Sequence, residues 1–190
     1  KKLFTLMMFM SLGACSGTEP TAQDAFFDNL SALCGQAFAG ELVSDNDADA
    51  ELRGQPMVMH VRECSDTVIR IPFHIGDDRS RTWVITRGDG TLTLKHDHRH
   101  EDGEEDVLTQ YGGTTDSAGT ATRQEFPADQ FSKDLFTREG IPVSNDNVWA
   151  VEVTPGEMYA YELSRPNRFF RAEFDLSAPV EAPPPPWGFE

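Results

Sequence analysis

Val68-Ile69-Arg70-Ile71-Pro72-Phe73-His74-Ile75 decides the fold class. Ile69, Ile71, Phe73 and Ile75 alternate with Val68, Arg70, Pro72 and His74, which is the two-residue period of a strand with one buried face. Trp83 and Ile85 mark a second such run, and Leu92 and Leu94 a third, with Thr91, Thr93 and Lys95 on the opposite side. Asp89-Gly90 lies between the second and third runs, a hairpin signal. Upstream, Met57, Met59 and Val61 alternate with Val58, His60 and Arg62, and Ala37 to Val43 fits a first strand.

The pattern continues downstream. Thr120 to Phe126 fits a strand, and Ala128 to Thr137 fits a short helix with Phe131 and Leu135 inward. Val148 to Val153, Met158 to Arg165 and Arg168 to Leu176 are three further strands, with turns at Pro155-Gly156 and Pro166-Asn167. In the last, Phe170, Ala172, Phe174 and Leu176 face one way, and Arg171, Glu173 and Asp175 the other. Glu101 to Gly119 is acidic and rich in Gly and Thr, so it reads as a long loop or irregular hairpin. One helix precedes the strands: Thr21 caps it, Asp24 completes an approximate capping box, and Phe26, Phe27, Leu30, Leu33 and Cys34 form its apolar stripe before Gly35. The expectation is a mainly β domain over residues 21–176: an antiparallel up-and-down barrel or sandwich of about nine strands with an N-terminal helix, the alternative being an open β-sandwich. Pro183 to Pro186 make residues 177–190 an extended tail, a surface strap or a docking peptide.

The start of the chain gives an address. Lys1-Lys2 and an apolar run from Leu3 to Met10 precede Leu12-Gly13-Ala14-Cys15. The run breaks at Ser11, short of the roughly 20 residues that span a bilayer, so it reads as an export signal. Leu12-Gly13-Ala14-Cys15 resembles the lipobox of bacterial lipoproteins. The resemblance implies that residues 1–14 are a signal peptide, that Cys15 is lipidated, and that 15–20 form a tether. Ser16, in place of Asp, implies the outer membrane, facing the periplasm or the surface. The sequence opens without Met, so residues are expected before Lys1. The β-rich body resembles lipocalin-like (calycin) barrels, with Gly35-Gln36-Ala37-Phe38-Ala39-Gly40 similar to their opening strand, though without its tryptophan. No site residue is taken from that resemblance.

The net charge is −16 and becomes −18 once Lys1 and Lys2 are lost. That excludes nucleic acid as a partner and excludes adhesion to anionic lipid by a basic surface. Membrane attachment falls to the lipid anchor. With Cys15 lipidated, Cys34 and Cys64 remain, and in an oxidising compartment they are expected to form a disulfide, the alternative being two buried thiols.

The sharpest chemical feature is His96-Asp97-His98-Arg99-His100. In a strand, residues two apart share a face about 7 Å apart. His96, His98 and His100 would continue the Leu92 and Leu94 face into a barrel mouth, while His60 and His74 face outward. Three readings follow: a Zn or Cu site (Ni²⁺ also suits neutral imidazole), a polar ligand site without metal, or a polar strand end bonded to its acidic neighbours. Two imidazoles could reach one ion; the third needs the strand to bend. Glu101 to Asp106 could bind Ca²⁺. Asp45, Asp47, Asp49 and Glu51 superficially suggest an EF-hand, which Ala50 and Pro56 at its sixth and twelfth positions rule out. Both acidic runs read first as solvated loops. Asp77, Asp78, Arg79 and Arg81 crowd one turn before Trp83, as ion pairs or a ligand anchor. No GxSxG, Walker A loop, GxGxxG or HExxH occurs, so the reading leans away from an enzyme. It expects a small-ligand-binding module, or a structural one that meets another envelope protein. The alternative is a metal-binding lipoprotein or metalloenzyme using the histidine row.

Overall fold

A computed structural model describes residues 19–88 and 90–189. The signal peptide, Cys15 and most of the tether lie outside the described residues.

The chain forms β1 (Ala37–Leu42), β2 (Met57–His60), β3 (Glu63–Cys64), β4 (Val68–Ile75), β5 (Asp78–Arg87), β6 (Leu92–His98), β7 (Tyr111–Thr114), β8 (Arg123–Pro127), β9 (Val148–Thr154), β10 (Met158–Arg165) and β11 (Arg168–Val180). All pair antiparallel in one sheet of order β7-β6-β5-β4-β2-β1-β11-β10-β9-β8. Sequential strands are neighbours, and β1 pairs with β11, so the meander curls into an up-and-down barrel, nearly closed. β2 and β3 lie end to end along β4, because Val61 and Arg62 interrupt one strand. Ten strands therefore circle the barrel, where the sequence suggested about nine; β7 was the one hidden in the Gly- and Thr-rich loop.

The alternation read from the sequence holds. Ile69, Ile71, Phe73, Trp83, Ile85, Leu92, Leu94, Phe170, Ala172 and Phe174 fill the interior. On the outer face of β8 to β11, Arg123 and Arg171 bridge Glu152 and Glu162.

Two helices finish the barrel. α1 (Ala22–Ser31) starts with the expected capping box of Thr21 and Asp24. It covers the end where β5 finishes and β6 begins, burying Phe26, Phe27 and Leu30. Gln23 and Asn29 donate to Ser117 O and Ala121 O, and Asp28 pairs with Arg87. α2 (Gln130–Arg138) seals the seam between β7 and β8, the one junction of the barrel without a strand ladder. The Ser132 hydroxyl donates to Gly112 O at 2.8 Å and accepts from Gly112 N at 2.7 Å. Leu135 and Phe136 face the core, but Phe131 does not: it is 54 % exposed and lies under Lys95. The inward face of α2 is set by Ser132, whose bonds to Gly112 fix the rotation and leave Phe131 outside.

The last strand runs on to Val180, four residues past the expected end at Leu176, because Ala37 and Phe38 pair with Val180 and Pro179 across a bulge. The proline-rich tail folds back as a strap over the outside of β4 to β6. Arg79 donates to Pro185 O and Arg62 to Phe189 O, both at 2.9 Å, and Arg99 covers the Phe189 ring. His74 points outward, as expected, and is buried against this strap.

Cys34 and Cys64 form the disulfide, tying the end of α1 to β3 across 30 residues. A loop of that length contributes about 3–4 kcal/mol by limiting the unfolded chain. Cys34→Ala/Cys64→Ala is expected to lower the urea unfolding free energy by about that amount. Thiol labelling of the denatured, unreduced protein should find neither cysteine; labelling of both would contradict the bridge.

Candidate functional site

The barrel end opposite α1 is not filled. A cavity of about 190 Å³ opens there. Its position follows from strand periodicity: two residues along each strand from the last core side chain comes a polar or half-buried one. On β5 Arg81 follows Trp83 toward the mouth, on β6 His98 follows His96, on β10 Leu163 follows Tyr161, and on β11 Arg168 precedes Phe170.

The deep wall is aromatic. The Trp83 ring stacks on Phe73 at 4.6 Å and on Tyr161 at 4.5 Å, the latter across the barrel. His96 stacks on Tyr111 at 4.5 Å. Its Nδ1 is 3.1 Å from Tyr111 O, and its Nε2 is 2.7 Å from the Tyr161 hydroxyl. A carbonyl oxygen only accepts, so Nδ1 carries the proton and donates. Nε2 is then bare and accepts from the Tyr161 hydroxyl. Burial pushes the His96 imidazole down to about 3, with His98 adding to the effect, so the ring is neutral. Burial raises the Tyr161 phenol well above its usual value, so its proton stays in place.

The rim is polar. His98 Nε2 lies 3.4 Å from the Tyr111 hydroxyl, and burial, then the Arg81 charge, push this imidazole down to about 4. Arg81 pairs with Asp78 through one terminal nitrogen. A guanidinium has five N–H donors, so Arg81 keeps further donors while lining the cavity. Arg168 is held by Asp49, one contact measuring 2.5 Å. Asp49 sits on a short 3-10 helix, Asp47–Leu52, which lies over the mouth with Asp49 and Leu52 turned in.

Only two members of the histidine row share this site. The strand ends at His98, and the chain turns through His100, whose ring is 58 % exposed and 3.7 Å from Asp106. Among the described residues no three His, Cys, Asp or Glu side chains gather to hold a metal ion. Both nitrogens of His96 are already bonded, so a metal there would have to displace Tyr161. The run Glu101 to Asp106 is a turn closed by backbone bonds to His98 and His100. Asp45, Asp47 and Glu51 are exposed as expected, but Asp49 is 4 % exposed and paired, so that segment is not simply a solvated loop.

Sequence reasoning missed Arg168, Tyr161, Tyr111 and Asp49 as site residues. Arg168 shares the inner-face parity of Phe170 and Ala172, and Tyr161 that of Tyr159, so period-two counting could have placed both. Nothing local marks Asp49, whose partner is 119 residues away.

Larger hollows lie on the outside, two of them above 400 Å³. One, at the β1–β11 bulge, is edged by Glu41, Glu157, Glu173 and Asp175; the other lies between His74 and the strap. Comparison with known protein families, with curated proteins and with solved structures finds no match.

His96, His98 and His74 share one consequence. Burial is the first cause of the depressed value of each, and His74 is brought down to about 4. An unfolded imidazole titrates near 6.5, so between that value and the folded one the unfolded chain binds more protons and stability falls as pH drops. Between pH 7 and pH 5 each neutral imidazole is expected to cost about 2 kcal/mol. Urea unfolding at the two pH values measures this, and equal stability at both would contradict it. His98→Gln should make the dependence shallower.

Proposed function

We propose that the protein is an envelope lipoprotein whose barrel holds a small, flat ligand in its mouth. The observation that carries this reading is the cavity itself: an open space at one end of an otherwise filled barrel, with stacked aromatic rings on its deep wall and donors on its rim. Its volume of about 190 Å³ is below the roughly 300–1,000 Å³ of sites for drug-sized molecules. The ligand is accordingly small. Its apolar part packs against the ring edges that Trp83 and Tyr161 present to the cavity, and its polar end meets Arg81, His98 and Arg168. A His96 with both ring nitrogens hydrogen-bonded supports an organic ligand more than a Zn or Cu ion.

The leader supports the location. A cysteine after Leu12-Gly13-Ala14 takes lipid, and the acidic barrel then stays near the membrane through that lipid. Cys15→Ala is expected to move the protein from the membrane to the soluble fraction; unchanged membrane attachment would remove the anchor from this proposal.

Benzamide, a flat neutral probe, tests the cavity. At tenfold excess over its Kd it should stabilise the fold by about 1.4 kcal/mol, a rise of several degrees in Tm. Leu163→Trp, which places an indole in the mouth, should abolish the shift. Lack of any saturable shift, or a shift untouched by Leu163→Trp, would sink the cavity reading and leave the interaction with another envelope protein.

A further inference from the structure

The turn Asp47–Leu52 is attached to the barrel by very little. Among the described residues, the hydrogen bonds and ion pairs of segment 45–55 all stay inside the segment, with one exception. Asn46 caps Ala48, Arg53 reaches Asp45 and Asp47, and the backbone bonds of Asp49, Arg53 and Gln55 go to Asn46, Ala50 and Leu52. The exception is the pair of Asp49 with Arg168. Apart from that pair, the turn is held by Leu52, half-buried against the core.

The pair is also an unusual use of charge. Both Asp49 oxygens meet Arg168 nitrogens, in the two-pronged geometry by which a guanidinium recognises any carboxylate. Asp49 is 4 % exposed, on an acidic turn whose other acids face water. Both members line the cavity. Removing one partner of a buried pair leaves the other charge uncompensated, and the cost is large. Exchanging one carboxylate for another avoids that cost.

We propose that Asp49 is a built-in stand-in for the ligand's own carboxylate. This rests on the cavity reading and names the ligand class: a small flat molecule with one carboxylate. The ligand's carboxylate takes the place of Asp49 on Arg168. Asp49 returns to water with its turn, and the mouth opens around the exchange. Unliganded, the turn keeps Arg168 paired and the mouth covered. Asp49 therefore competes with every anion that enters, so an anion that lacks an apolar body to pack against the edges of Trp83 and Tyr161 does not displace it.

The test compares benzoate with benzamide, which share a ring and differ in charge, on the full chain in detergent. The native protein should bind benzoate more tightly than benzamide. Asp49→Asn removes the competitor's charge and keeps its shape, and should raise the benzoate preference by about tenfold, within the usual range of coupling between sites. Asp49→Asn/Arg168→Gln, a neutral pair, should abolish the preference. A second measurement needs no variant. Arg53 sits on the exposed side of this segment, its side chain 43 % accessible, and trypsin cleavage after it should speed up with benzoate and not with benzamide. If benzamide binds while benzoate binds no better, or if Asp49→Asn leaves the preference unchanged, the stand-in role falls and the cavity reading survives. If cleavage after Arg53 is indifferent to benzoate, the opening turn is wrong. If neither probe binds, both proposals fall together.

Discussion

The pairing of β1 with β11 is the constraint on which the interior depends. Without it the sheet splits into two, one ending at β1 and one beginning at β11, and no ladder holds their apolar faces around one interior. Gly40 permits it. A Cβ there would run into Glu173 O and the Phe174 ring, so any side chain would push the strands apart at the bulge. Once β1 and β11 join, Phe174, already beside Tyr159 on β10, meets Trp83 and Phe73 across the core. The aromatic wall of the cavity is an extension of that cluster toward the mouth.

The barrel has a second junction, and it is made differently. β7 and β8 approach through Gly113, where a Cβ would strike the backbone of Pro127, yet they exchange no ladder. The bonds come from α2, through Ser132 and Asp129 N to Gly112 O. The seam thus satisfies its polar backbone with a helix in place of a strand. Tyr111 stands beside this seam, between Phe136 of the helix and His96 of the cavity wall. The helix that seals the barrel therefore also sets the wall of the site.

The strands and α1 were legible in the sequence because their signals are local. Alternation over four residues is enough to assign a face, and Thr21 with Asp24 is enough to start a helix. β7 was not legible: Tyr111-Gly112-Gly113-Thr114 carries two glycines, whose value lies in close approach to Leu94 and Pro127, which the local sequence does not show. His96 and His98 were placed correctly by parity. His100 was not, because parity assumes the strand continues, and it stops at His98. Arg81 was already a candidate ligand anchor, and Arg168 could have been found by the same counting, since it shares parity with Phe170. Asp49 could not, because its burial is decided by a partner far along the chain.

The buried charges follow one rule. Taking a charge out of water is costly, and the group escapes by losing the charge or by finding a partner. Imidazole can lose its proton near neutral pH, and His96, His98 and His74 do so. Guanidinium cannot. Arg81 and Arg168, placed at the mouth by the same inner-face alternation, must each hold a carboxylate, and they hold Asp78 and Asp49. The two carboxylates are not equivalent. Asp78 lies three residues from Arg81, at the start of the same strand, and is also held by the Ser80 N–H. Among the described residues, Asp49 comes from a turn with no other polar tie to the barrel. A ligand that brings its own carboxylate therefore meets a fixed pair at Arg81 and an exchangeable one at Arg168, and the difference is written in how each acid is attached to the chain.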